Sequence, residues 1–334
     1  MRNRILGRTG FEVSEIGFGT WGIGGFVAGA SYGATDDGVS CAALRRAFDQ
    51  GVTFFDTADS YGDGRAERLL GACFGARVSG GPASVVIATK AGHPQFGGPQ
   101  DFEPAHLVLS LEGSLRRLER ERVELLQLHN PPMDLLRERP EILGTLEDLT
   151  RAGKIAAWGL SMKTPAEAAD AIREFSPACV QANFNLADQR ALDIGLLDLA
   201  ASTGTAVIAR TPLAFGFLSG RLSAETEFPE GDHRRNWSKE RIAQWAKASR
   251  DFAGDIAARD GQSLAQIALR FCLSHPGVST TIPGMLTPAE VDENAAAADF
   301  GPLSAADFAQ IRAFYAGSAF ASAPVSTPKT PPRA

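Results

Sequence analysis

Of its 334 residues the chain has only four cysteines and three tyrosines, and it carries no excess of basic charge. Cys41, Cys73, Cys179 and Cys272 share no metal-ligand spacing and fall in apolar helix-like or strand-like segments. That distribution argues against a disulfide framework or a metal site and predicts packed, reduced thiols. No stretch approaches the roughly 18 apolar residues of a membrane-spanning helix. The start, MRNRILGRTG, has no apolar signal core, so a cytoplasmic protein is expected. Lys and Arg number 33 against 39 Asp and Glu, a net charge of −6 spread along the chain. Such a balance argues against nucleic-acid and anionic-membrane surfaces. Also missing is a Gly-rich dinucleotide fingerprint after the first apolar run, which a doubly wound open sheet would need.

What the chain does have is one unit repeated. A short apolar run ends in a polar residue or glycine, and a longer segment with helical spacing follows. The runs are EIGFGT (15–20), VTFFDT (52–57), VVIATK (85–90), VELLQLH (123–129), IAAWGLS (155–161), ACVQAN (178–183), AVIAR (206–210) and STTIPG (279–284). Between them lie the helix-like segments 40–51, 66–75, 103–118, 139–154, 164–175, 195–204 and 263–275, several beginning at Ser, Thr or Pro and ending near Gly. Strands alternating with helices imply parallel pairing, and continuously apolar strands imply a sheet covered on both faces. Eight such units predict a (β/α)8 barrel, with the open sheet as runner-up. RILGRTGFEVS (4–14) reads as an N-terminal hairpin around Thr9-Gly10 that plugs the barrel bottom. The break at 211–262 is too long for a plain βα unit and predicts a functional loop plus an extra helix near the C-terminus. A single domain over 1–316 is expected, with the Ser-, Pro- and Ala-rich 317–334 as a disordered tail. The Gly-rich stretch 22–37 suggests a mobile loop over the barrel mouth.

Barrel enzymes carry their reactive residues at the carboxyl ends of the strands. Those ends present Asp56, Lys90, His129, Ser161, Gln181 and Arg210, with Tyr61 in the loop after Asp56. Asp56 and Lys90 alone could be a buried ion pair. Tyr61 and His129 beside them point to proton transfer. A tyrosine is a weak acid, with an ordinary pKa of about 10; an adjacent ammonium would lower it, and a carboxylate would keep the lysine charged. No set of residues has metal-ligand spacing, so no metal is expected.

The stretch DTADSYGDGRAERLLG (56–71) resembles the signature of the aldo-keto reductases. It is matched in order by ATK (88–90), LQLHNP (126–131), WGLS (158–161), QANFN (181–185), PLAFGFLSGR (212–221) and IPG…DEN (282–294). The resemblance, over about residues 3 to 315, implies a catalytic tetrad of Asp56, Tyr61, Lys90 and His129. It also implies hydride transfer between a nicotinamide and a carbonyl carbon, with Tyr61 as general acid/base. The implied coenzyme contacts are Ser161 and Gln181 at the carboxamide, Gly19, Thr20 and Trp21 beside the nicotinamide with Asp56, and Arg210 near the ring or ribose. The backbone of Leu213, Gly216, Leu218 and Ser219, with Pro212 and Arg221, would follow the pyrophosphate. Glu293 and Asn294 would reach the adenine, with Gly284 and Glu290 in the stretch that usually meets a 2′-phosphate. Arg221, Arg234 and Arg235 of the long loop are the alternative clamp for that phosphate, since Arg matches its oxygens.

The chain departs from the family pattern at Met162, where Asn is common, and at 284–290, where GMLTPAE replaces a stretch that often carries Lys, Ser or Arg. NADP(H) is the coenzyme expected from the resemblance, with NAD(H) as the alternative. The partner is a small carbonyl substrate, neutral or sugar-like. Two other functions are kept: a coenzyme-sensing regulatory subunit, and a barrel aldolase or isomerase with Lys90 as Schiff-base amine.

Overall fold

The computed structural model describes residues 1–25, 31–75, 85–95 and 98–322. An antiparallel pair, β1 (Asn3–Ile5) and β2 (Glu12–Ser14), precedes eight parallel strands. These are β3 (Phe18–Gly19), β4 (Phe54–Asp56), β5 (Val86–Ala91), β6 (Val123–His129), β7 (Ile155–Ser161), β8 (Cys179–Asn183), β9 (Ala206–Arg210) and β10 (Val278–Thr281). They lie side by side in chain order. The ends of the sheet meet: Gly17 N donates to Thr281 O (2.8 Å), Gly19 N to Pro283 O (2.9 Å) and Thr281 N to Glu15 O (3.0 Å). The sheet is therefore a closed barrel without edges.

Helices Asp37–Asp49, Arg65–Phe74, Pro104–Leu118, Glu141–Arg151, Pro165–Phe175, Leu196–Thr203, Leu264–Leu273 and Pro288–Phe300 cover it, one after each barrel strand. The sequence reading of a (β/α)8 barrel holds. Strands β6, β7 and β9 coincide with the expected runs. The first and last are shorter, and Pro283 could not have donated a ladder bond in any case.

The pleat decides what fills the barrel. Alternate residues of a strand point inward. Phe54, Val86, Ala88, Leu125, Ala157, Cys179, Ala206 and Ile208 form one buried interior cluster with Leu6 and Val13 of the hairpin. The hairpin thus closes the end from which the strands start, with Gly10 supplying the left-handed turn (φ 75°). The intervening residues, Phe55, Ile87, Leu126, Leu128, Val180, Val207 and Ala209 among them, belong to the larger cluster under the helices.

The break between β9 and β10 holds 3-10 turns at Ala214–Ser219 and His233–Asn236 and the extra helix Lys239–Asp260, started by its Ser238 cap. Helices Ala305–Gly317 and Ala319–Ser322 follow the last barrel helix. Order therefore runs past the expected end at 316, because Phe320 docks on Trp245 (4.9 Å between centroids) and Phe252 (5.9 Å). The rest of the expected tail, 323–334, lies outside the described residues, as do 26–30 of the Gly-rich stretch.

Leu6 is fully buried against the strand starts. Leu6→Ala is expected to lower stability by about 2–5 kcal/mol in urea unfolding with an unchanged denaturant slope. A change below about 1 kcal/mol would show that the hairpin does not plug the core.

Candidate active site

The same pleat that packs apolar side chains at the barrel bottom delivers polar ones at the top. Continuing inward from Phe54, Ala88, Leu125 and Cys179, each two residues on, come Asp56, Lys90, Gln127 and Gln181. Register brings them level, with Lys90 beside Gln127 and Ser161 beside Gln181. Lys90 Nζ donates to Asp56 Oδ2 (2.6 Å), Thr57 O (2.9 Å) and the Tyr61 hydroxyl (3.2 Å). Asp56 Oδ1 accepts from Gln181 Nε2 (2.7 Å) and Gln127 Nε2 (3.2 Å). Lys90 is wholly buried and Asp56 is 2% exposed. A charge pair so deep persists because all three lysine protons and both carboxylate oxygens have partners.

Tyr61 is carried by the turn after β4. Thr57 N donates to Ala88 O and Asp59 N to Lys90 O, fixing the turn to β5. At Gly62 (φ +60°) a Cβ would meet Gly24 O at 2.1 Å, so only glycine lets the Tyr61 turn touch the loop after β3.

Burial pushes the Tyr61 pKa up, and Lys90 is the largest influence pulling it back. The net direction corrects the sequence reading, which expected the ammonium to win. Taking a phenolate out of water costs more than one cation returns. Lys90 is itself raised: burial pulls it down, but Asp56 and Tyr61 outweigh that. His129 stands edge-on to Tyr61 (5.9 Å) and is held well below its usual range by burial and by Lys90, so it is neutral. Its Nδ1 is buried with no partner among the described residues.

Arg210 reaches inward from the end of β9. It donates to Asn183 Oδ1 (2.7 Å), Asn130 Oδ1 (3.3 Å), Ser161 Oγ (3.0 Å) and Met162 O (2.6 Å). Ser161 Oγ in turn donates to Gln181 Oε1 (3.3 Å). One hydrogen-bonded chain therefore runs from Arg210 through Ser161, Gln181 and Asp56 to Lys90 and Tyr61.

Above this layer opens a cavity of about 750 Å³, within the usual size of small-molecule and cofactor sites. Tyr61, His129, His93, Asp56 and Gln181 lie at its floor. One wall is aromatic, joining the loop after β3 to the loop after β9. Trp21 meets Tyr32 (4.8 Å) and His233 (5.1 Å), and Phe215 meets His233 (5.3 Å) and Trp237 (5.6 Å). His233 N donates to Ser31 O (3.0 Å) across the same junction. Among the described residues no group of His, Cys, Asp or Glu could hold a metal, and no helix is long and apolar enough to cross a membrane.

The model of the Aldo/keto reductase family matches residues 15–316. The chain belongs to this family. The aldo-keto reductase YhdN of Bacillus subtilis is 32% identical over 301 residues, 87% of each chain. A probable voltage-gated potassium channel subunit beta of rice is 29% identical over 320 residues, 91% of this chain and 93% of its own. Among solved structures, the aldo-keto reductase AKR11C1 of Bacillus halodurans in its holo form superposes with a TM-score of 0.75 at 25% identity, over 94% of this chain and 96% of that one.

In (β/α)8 barrels the loops after the seventh and eighth strands frequently bind phosphate groups. Here those loops continue the cavity away from Tyr61. Gly19 and Gly284, which are bridged to each other, line it with Thr20, Trp21, Arg210, Pro212 and Leu213 beside the strand ends; Gly216, Ser219, Arg221 and Arg234 line it from the loop after β9; Glu290, Glu293 and Asn294 line it from the helix after β10. Two expected contacts do not line it. Ser161 is buried under Arg210, and the Leu218 side chain belongs to the core.

The expected phosphate arginines are otherwise engaged. Arg234 pairs with Asp232 (2.6 and 3.0 Å), donates to Phe215 O (2.8 Å) and lies over Tyr32 (4.6 Å) and Phe228 (4.5 Å). It is a strut of the loop. Arg235 is exposed and does not line the cavity. Arg221 pairs with Glu290 (3.1 Å) and Glu293.

The sequence reading missed Gln127, Asn183, Asn130 and Lys163. For Gln127 and Asn183 the signal was present, since both share inward parity with recognised residues. His233 was read as a surface or packing residue. It is buried, lines the cavity and carries no local sequence signal, because its partners Trp21 and Tyr32 are remote in the chain.

The pairing makes a stability prediction. Lys90→Met leaves Asp56 charged, buried and unneutralised, and is expected to cost about 3–5 kcal/mol in denaturant unfolding. Adding Asp56→Asn should restore much of that loss. Additive losses would show that the two side chains are not coupled.

Proposed function

We propose that the chain is a nicotinamide-dependent carbonyl reductase, working also in the alcohol-oxidising direction, with Tyr61 as general acid/base and Lys90, Asp56 and His129 as its partners. The observation that carries this is the Lys90 ammonium, which donates to both Asp56 and Tyr61 at the cavity floor. An ammonium has only donors. Its bond to the Tyr61 oxygen therefore leaves the phenolic hydrogen to point elsewhere, and the cavity with a carbonyl oxygen is where it can go. Burial keeps the phenol protonated, ready to give that proton, while the nearby ammonium steadies the phenolate left behind. Neutral His129 can orient the same oxygen without adding charge. Asp56, fixed by Gln127 and Gln181, keeps Lys90 charged and aimed.

The cavity fits a bound nicotinamide dinucleotide in size and donor set, with proton-transfer groups at one end and Glu290, Glu293 and Asn294 at the other. When bound, the nicotinamide supplies or takes the hydride. The resemblance favours NADP(H), but the arginines expected at its extra phosphate are committed elsewhere. The substrate is a neutral aldehyde, ketone or sugar-like carbonyl, admitted beside the aromatic wall.

The likeness to the rice channel subunit supports a second reading, a barrel that senses its coenzyme without turning over substrate. The Schiff-base reading is disfavoured, because Lys90 is held as an ammonium by Asp56 and is no nucleophile in that state. One comparison separates the readings. Tyr61→Phe should keep coenzyme binding, followed by the fluorescence of Trp21, Trp237 and Trp245 that line the cavity, and lose about 10²–10⁴-fold in turnover. Unchanged turnover would remove Tyr61 as the acid, and absence of turnover in the parent chain with every carbonyl tried would favour the sensor.

A further inference from the structure

The far end of the cavity is acidic, and its one nearby cation is already paired. Thr287 caps the helix Pro288–Phe300 by accepting from Glu290 N. Glu290 folds back over that helix start. Its Oε2 accepts from Leu286 N (2.7 Å) and its Oε1 from Arg221 (3.1 Å). Glu293, one turn on, takes the other side of the same guanidinium. A free backbone N–H and an arginine are groups that readily receive a phosphate. Here both are filled by a carboxylate of the chain itself, and the cluster of Arg221, Glu290 and Glu293 sums to a net −1.

A second observation shows that this end is built for a ligand. Asn294 is 3% exposed, lines the cavity, and its amide has no hydrogen-bond partner among the described residues. Its amide atoms open on the cavity, where a bound molecule can take them. The other cations of the cavity stand on other elements: Arg210 ends β9 and donates to Asn183, Ser161 and Met162, Arg234 pairs with Asp232, Lys163 follows β7, and Arg241 lies over Trp237 (3.7 Å).

We propose that this chain selects NAD(H) over NADP(H), with Glu290 as the residue that sets the choice. The inference rests on the nicotinamide reading above. With the reactive ring at the Tyr61 floor, the adenosine extends toward Glu290, Glu293 and Asn294. A carboxylate beside an adenosine ribose accepts from its 2′-hydroxyl. A 2′-phosphate in the same place meets like charge and has to displace Glu290 from Leu286 N and Arg221. Asn294 completes its hydrogen bonds on the nucleoside.

The test is binding, read by quenching of the cavity tryptophans as NADH and NADPH are titrated in parallel. NADH is expected to bind about tenfold tighter or more, the scale of one carboxylate–phosphate repulsion near a surface. In Glu290→Gln, whose side chain can still accept from Leu286 N, that ratio should fall toward unity through tighter NADPH binding. Glu290→Arg should reverse it. NADPH binding as tight as NADH, or a ratio unmoved by Glu290→Gln, overturns the inference while leaving the nicotinamide reading standing. Binding of neither coenzyme overturns that reading and the inference with it.

Discussion

A buried carboxylate–ammonium pair is tolerable only where its surroundings are fixed, and much of the barrel mouth is arranged around that requirement. Asp56 ends β4, Lys90 sits near the end of β5, and the amides that complete the carboxylate come from β6 and β8. Four strands must therefore hold register for the pair to be satisfied. The chain of hydrogen bonds continues to Ser161 on β7 and Arg210 on β9. A slip of one residue in any of these strands would turn a polar side chain out of the barrel and bring an apolar one in. The chemistry and the fold thus depend on the same alignment.

This is also why so much could be read from residue order. Helix and strand positions followed from the alternation of apolar runs with helical spacing. The reactive set followed from reading strand ends, and it needed only inward parity to include Gln127 and Asn183. Parity is a two-residue rule and visible in any strand. The strand-end reading took Ser161 and Gln181 with the charged residues but passed over Gln127 and Asn183, which parity includes.

What residue order hid was made by contacts between loops. Nothing near His233 announces that Trp21, Tyr32 and Phe215 surround it, and nothing near Arg234 announces that Asp232 and Phe215 consume its donors. The direction of the Tyr61 shift was hidden for a related reason. Lys90 can be seen in the sequence as a neighbour, but the loss of water around the phenol depends on how closely the loops cover it. Residues 317–322 joined the fold because Phe320 found two aromatic partners on the extra helix, a match that composition does not reveal.

The junction between the loops after β3 and β9 has a consequence for how the mouth responds to its surroundings. It is held by ring faces, by backbone hydrogen bonds, and by an Arg234–Asp232 pair that is almost entirely shielded from solvent. Exposed ion pairs weaken as electrolyte is added, whereas contacts of this kind scarcely feel it. Burial also holds His233 to a pKa of about 4, so its ring stays uncharged through the neutral range. The loop junction is therefore indifferent to salt and to modest acidification, and temperature, which sets the strength of apolar contact, is the variable that loosens it.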